Sequence, residues 1–128
     1  MTGSFEANNF LAYAGVERIE NDLNIWTTMM IGSTYTIGKA TMGAEMIATN
    51  MSGEDLNRTR LFGTYDVTDQ VELGLQAQQV STEFDAVNFY GATASYSFAS
   101  GAYAKLGLGR ADDSAFSDTT SLIVGWKF

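Results

Sequence analysis

A chain of 128 residues with neither histidine nor cysteine lacks the commonest catalytic devices. It has no His general base, no Ser-His-Asp or Cys-His arrangement and no zinc site with His or Cys ligands. The groups left to do chemistry are mostly carboxylates, fifteen Asp and Glu against seven Lys and Arg, for a net charge of −8. The pairs Glu54-Asp55 and Asp112-Asp113 fall in loop-like stretches where solvation is their ordinary role, and Gly107-Leu108-Gly109-Arg110 lacks the third glycine and following helix of a nucleotide loop. The expectation is therefore no enzyme, no cofactor and no resident metal. A strongly acidic chain without a basic run is also a poor electrostatic partner for nucleic acid. Two groups of charges do carry a pattern. Glu45, Arg58, Arg60, Glu72 and Lys105 all fall on the polar side of strand-like segments, and a second set, Glu20, Asp22, Glu54, Asp55, Glu83, Asp85, Asp112, Asp113 and Asp118, gathers in or beside four links.

The elements that must position these charges read as strands. Turn signals and a two-residue period mark eight segments, roughly Asn9–Ile19, Leu23–Tyr35, Lys39–Asn50, Asn57–Val67, Gln70–Thr82, Ala86–Phe98, Ala102–Ala111 and Thr119–Phe128. Each is long enough to cross a bilayer as a tilted strand, whereas no run reaches the roughly 18 apolar residues of a membrane helix. Tight turns follow the second, fourth and sixth segments at Thr36-Ile37-Gly38, Thr68-Asp69 and Ala99-Ser100-Gly101. Longer acidic links follow the others, at Glu20-Asn21-Asp22, Ser52-Gly53-Glu54-Asp55, Glu83-Phe84-Asp85 and Asp112 to Asp118. Short turns at one rim and longer loops at the other are the pattern of an up-and-down barrel, and an even strand number lets first and last strands pair.

The period also divides the faces. Val71, Leu73, Leu75 and Ala77 oppose Glu72, Gly74, Gln76 and Gln78; Met42, Ala44, Met46 and Ala48 oppose Thr41, Gly43, Glu45 and Thr49. A soluble barrel with an apolar interior shows the same stripe. The polar face here is built of small uncharged residues and glycines, which suit a wet lumen or a packed polar interior, and the Ala-rich apolar face suits lipid. With the polar face inward, Glu17, Glu45, Arg58, Arg60, Asp66, Glu72, Lys105 and Lys127 point into the barrel. In a wide lumen such opposed charges set up a transverse field that selects solutes; in a closed eight-stranded barrel they pair and fill the interior. The acidic links would crowd one rim, where carboxylates attract cations, hold Ca²⁺ or Mg²⁺ against anionic lipid, or serve as ordinary solvated loops.

The chain ends in Ser121-Leu122-Ile123-Val124-Gly125-Trp126-Lys127-Phe128, in which Leu122, Val124, Trp126 and Phe128 alternate and the last residue is aromatic. Each tight turn follows a Tyr-x-(Ile, Val or Phe) unit: Tyr35-Thr36-Ile37, Tyr65-Asp66-Val67 and Tyr96-Ser97-Phe98. That places aromatics at one end of every hairpin, as in an interfacial girdle. The units Ser33-Thr34-Tyr35-Thr36-Ile37-Gly38, Gly63-Thr64-Tyr65-Asp66-Val67-Thr68 and Ala94-Ser95-Tyr96-Ser97-Phe98 resemble the strand-to-periplasmic-turn segments of Gram-negative general porins, and Val124 to Phe128 resembles their assembly signal. The resemblance implies an outer-membrane location, recognition by the barrel-assembly machinery and passive diffusion of ions and small hydrophilic solutes. At 128 residues the chain is shorter than a full porin.

The fold expected is one all-β domain over residues 1–128, an antiparallel up-and-down transmembrane β-barrel of about eight strands in the bacterial outer membrane. Its partners are outer-membrane lipid, the assembly machinery, small solutes or ions, and a second copy in a homo-oligomer. The N-terminal Met1-Thr2-Gly3-Ser4-Phe5 lacks the regions of a secretory signal, so a mature form or part of a larger porin is expected. Two other readings stand beside the porin: a closed eight-stranded structural or surface-binding barrel without an open pore, and a soluble lipid-ligand-binding barrel.

Overall fold

The computed structural model describes residues 1–20, 25–51 and 53–126. They form nine strands: β1 (Thr2–Ala7), β2 (Phe10–Glu20), β3 (Ile25–Ile37), β4 (Ala40–Met51), β5 (Glu54–Asp66), β6 (Val71–Ser81), β7 (Ala86–Ser97), β8 (Ala102–Ala111) and β9 (Thr119–Trp126). All lie in one sheet in chain order, each pairing antiparallel with the next.

Eight strands were expected and nine are found, because Thr2–Ala7 pairs with β2. Asn8 adopts the left-handed backbone (φ 52°), which asparagine tolerates better than most residues, and with Asn9 makes the two-residue reversal that folds β1 back. The register is extended by a hydrogen bond from the Val16 amide to the Met1 carbonyl at 2.8 Å. Odd-numbered strands all run toward the rim that carries the tight turns, so β1 and β9 run in the same direction. Among the described residues they do not pair, and closure by pairing of first and last strands is absent.

The expected contrast between short turns and longer acidic links holds only in part. The β4–β5 link is just residues 52–53; Glu54 and Asp55 belong to β5, paired with Met51 and Asn50. Gly53 supplies the left-handed corner (φ 102°), and the Asn50 side-chain amide donates to Asp55 Oδ1 at 2.7 Å, so the hairpin tightens where a loop was expected. Among the described residues only the link of residues 112–118 is long.

Among the described residues no apolar side chain is buried, and the buried polar one is Glu45. The apolar stripe is the open face: Met42, Met46, Leu61, Leu73, Leu75, Leu106, Leu108, Leu122 and Val124 are all exposed. The aromatics Phe10, Tyr35, Tyr65, Tyr96 and Trp126 stand on the same face near the tight-turn rim. A soluble barrel with an apolar interior would need the reverse arrangement.

Candidate functional site

The polar face of β2 to β5 is assembled by register. Tyr13 of β2 lies opposite Gly32 of β3, Gly32 opposite Glu45 of β4, and Glu45 opposite Arg60 of β5. With no Cβ in the way, the Tyr13 ring lies flat across Gly32; a Cβ there would collide with the ring. The ring thereby delivers its hydroxyl across a strand, donating to Glu45 Oε2 at 3.0 Å. The other carboxylate oxygen faces two guanidinium groups, Arg60 at 3.2 Å and Arg58 at 3.7 Å. Phe62 repeats the arrangement one row along, over Gly43, and the Arg60 guanidinium stands 5.0 Å from its ring centroid. One carboxylate thus organises two cations and a phenol in the middle of the wall. The two arginines stay 41% and 34% exposed, so the cluster retains contact with solvent. Their Nε atoms are covered and without a hydrogen-bond partner.

Glu72 and Lys105, grouped with these charges from the sequence, stand elsewhere. Strand neighbours meet only at equal height, and Glu72 lies six residues along β6 from Gln78, the partner of Arg60, a separation of about 20 Å at the usual strand rise. Its own row is Asp66, Glu72, Ser95 and Lys105, close to the tight-turn rim. These residues line a cavity of about 330 Å³. Lys105 also borders a second cavity of about 260 Å³, lined by Arg60, Phe62, Gln76 and Thr93. Among the described residues neither Glu72 nor Lys105 forms an ion pair. Lys127 lies outside the described residues.

Tyr13 and Phe62 were missed as members of the cluster. The signal was present: both fall on the polar side of their strands, at positions where an aromatic otherwise has nothing apolar to pack on, and each faces a glycine in the neighbouring strand.

The rim carboxylates act separately. Glu20 pairs with Arg18 at 3.1 Å and Asp118 with Arg110 at 4.0 Å. Asp113 accepts from the Ala115 amide and Asp85 from the Ala86 amide, both at 2.8 Å. Asp112 makes the most elaborate contact, accepting from the Asn88 backbone amide at 2.8 Å and its side-chain amide at 2.7 Å. These two donors hold its carboxyl below the usual carboxylate range. The Asn88 side chain also accepts from Gln79 at 3.1 Å, so the chain of contacts ties β6, β7 and the end of β8 together. Beyond this latch Phe116 meets Phe89 edge to face, 5.3 Å between centroids. Among the described residues no three carboxylates are placed to share a metal ion. Asp22 lies outside them.

At the other end of the chain Leu122, Val124 and Trp126 project from the open face of β9. Phe128, the last residue of that series, is outside the described residues.

No family model matches the chain, and no curated protein matches it in sequence. Solved structures do. The KdgM porin, in complex with disordered oligogalacturonate, aligns with the whole of this chain and 73% of its own, with a TM-score of 0.73 at 16% identity; a second KdgM porin structure gives 0.72. OmpT with loop L8 deleted, an outer membrane protein of Vibrio cholerae, aligns with 87% of this chain and 46% of its own, with a TM-score of 0.68 at 16% identity. The nine-stranded sheet, apolar on its open face and charged on the other, has the fold of the porin-like transmembrane β-barrels and is shorter than either of them.

Proposed function

We propose that the chain forms the wall of a porin-like barrel in the bacterial outer membrane, a single domain over residues 1–128, through which ions and small hydrophilic solutes diffuse passively. The observation that carries this is the division of the sheet: its large apolar side chains are exposed, while Tyr13, Glu45, Arg58, Arg60 and Lys105 occupy the other face. In a bilayer the first face meets lipid and the second lines the lumen. The role is permeation rather than catalysis.

The lumen charges then act as a selectivity device. Glu45 holds Arg58 and Arg60 at mid-wall, while Asp66 and Glu72 face the same space nearer the tight turns. A solute passing along the wall meets a basic stretch and an acidic one in succession, a field that favours hydrophilic molecules with separated charge or many hydroxyls. The oligogalacturonate in complex with the KdgM porin makes a short acidic oligosaccharide a natural member of the test series. Leu122, Val124 and Trp126 on β9 are the proposed contact for the assembly machinery, and outer-membrane lipid is the proposed neighbour of the open face. A homo-oligomer would use part of that same face.

The test is permeation by the protein recovered from the outer-membrane fraction of cells that make it, reconstituted into liposomes. Swelling should fall as neutral sugars increase in size, and neutralising Arg58 and Arg60 should slow acidic sugars more than neutral ones. Impermeable liposomes would overturn the diffusion reading in favour of a structural barrel, and absence of the protein from that fraction would overturn the location.

A further inference from the structure

β1 and β9 are the two ends of the sheet, and among the described residues each leaves one side of its backbone without a strand partner. Both belong to a wall whose outward residues are apolar, with Phe5 on β1 and Leu122, Val124 and Trp126 on β9 exposed. Backbone groups facing hydrocarbon must be paired, so an open edge is not a stable end state in a membrane. Strand direction decides what can complete it. In a meander every odd-numbered strand runs the same way, and β1 and β9 both run from the long-loop rim to the tight-turn rim. A direct β1–β9 seam would therefore be parallel, although all eight ladders of the sheet are antiparallel.

A second copy does not change this. Two copies inserted with the same topology are related by an axis along the membrane normal, which preserves strand direction, so β9 of one would again meet β1 of the other in parallel. Antiparallel contact of like edges would turn one copy upside down in the membrane. Antiparallel closure requires an odd number of strands between β9 and β1. An independent observation points the same way: the sheet follows the KdgM porin along its whole length, with a TM-score of 0.73, yet spans only 73% of that chain. The sheet thus matches a part of a longer wall, and at the same spacing of strands the remaining share holds about three, an odd number.

We propose that the barrel is completed by an odd number of additional antiparallel strands, about three, contributed by a segment of the same polypeptide outside residues 1–128. This rests on the membrane-barrel reading above. The strand beside β1 runs from the tight-turn rim to the long-loop rim, as does the strand beside β9. Each carries apolar residues outward and polar ones inward.

The chain's own strands supply the probe. A second copy of residues 71–118, placed ahead of Met1, adds three strands equivalent to β6, β7 and β8 and joins them to β1 by a copy of the natural β8–β9 link. A copy of residues 86–118 adds only two. The unextended chain and both extended chains are refolded into dodecylphosphocholine micelles and read by heat-modifiable migration and resistance to trypsin. The three-strand extension should give a protected, heat-modifiable monomer, and protection should be lost in the two-strand extension and the unextended chain. Equal protection of the two-strand and three-strand forms, or failure of the three-strand form to fold, overturns the proposal. Edge cysteines in the unextended chain, Ser4→Cys combined in turn with Thr119→Cys, Ser121→Cys and Ile123→Cys, give a second measurement. An intramolecular disulfide would show a nine-stranded barrel with a parallel seam, and an intermolecular one a seam between copies; either overturns the proposal, and absence of both supports it. Folding of the unextended chain in water without detergent would instead defeat the membrane reading itself.

Discussion

Leu75 on the open face keeps 71% of its surface exposed, whereas Glu45 on the opposite face keeps 8%. In a soluble protein those values would be reversed. The difference teaches where each half of the wall gets its stability. The open face makes few contacts within the protein and depends on transfer of Leu, Met and aromatic side chains into lipid. The inner face is held by specific geometry: a ring laid over a glycine, a hydroxyl delivered to a carboxylate, and two guanidinium groups drawn to the same oxygen. Substitutions should therefore have opposite rules on the two faces.

The largest effect is expected from Leu75→Arg. Near mid-membrane an outward arginine costs about 2–4 kcal/mol in a barrel, whereas Gln76→Arg, one residue on and facing the lumen, should be tolerated. Denaturant unfolding of the barrel in lipid vesicles compares the two, and an equal or reversed order would contradict the assignment of faces. On the inner wall, Gly32→Ala should cost about 1–3 kcal/mol by forcing Tyr13 off its seat and loosening its bond to Glu45. Gly63 is the control. It lies on the open face, where a Cβ would meet only the Thr41 carbonyl at an ordinary 3.6 Å, so Gly63→Ala should be close to neutral. If both glycines behave alike, the ring-on-glycine packing contributes nothing.

Next comes Glu45→Ala, which leaves Tyr13, Arg58 and Arg60 without their common acceptor. A loss of about 1–2 kcal/mol is expected, because the arginines are partly solvated and recover some of the interaction from water. Glu45→Ala combined with Arg60→Ala should cost less than the sum of the single changes. Simple additivity in that double-mutant cycle would mean that the 3.2 Å pair is close in space but energetically idle.

The division into faces was legible in the sequence because a strand's side chains alternate strictly, so Glu45, Arg58 and Arg60 could be assigned to one side without knowing the fold. Height along the strand was not legible. Lateral neighbours depend on register, and β1, hidden in a short run with one large apolar residue, shows how much of the pairing lies outside any period. For the same reason Glu72 was grouped with charges about 20 Å away. The β4–β5 reversal was misjudged because Glu54 and Asp55 are turn-like by type, yet a single left-handed Gly53 and the Asn50–Asp55 bond bring them into the strand. The outer-membrane fold itself was legible from the aromatic hairpin ends and the alternating terminus, since both follow from the bilayer rather than from contacts within the chain.

The smallest effect is expected at the rim and concerns Asp112, whose carboxyl is held below the usual range by the two Asn88 donors. A group whose acidity is increased on folding favours the folded arrangement while it is ionised. Its contribution is full above the unfolded carboxyl pKa and is lost as the pH falls through the lower folded value. The latch should accordingly hold at neutral pH and release only below the ordinary carboxylate range, freeing the link of residues 112–118 and separating Phe116 from Phe89. Titration followed by the carbon resonance of the Asp112 carboxyl should show a depressed midpoint in the parent, and Asn88→Ala should move it upward. Asp112→Asn should loosen the same link at every pH while leaving the mid-wall cluster and overall stability almost unchanged, because the group is solvent-exposed and far from Glu45. If Asn88→Ala, which removes the side-chain donor and keeps the backbone one, leaves the midpoint where it was, the side-chain hydrogen bond is not what lowers it, and the carboxyl is held by the backbone amide alone.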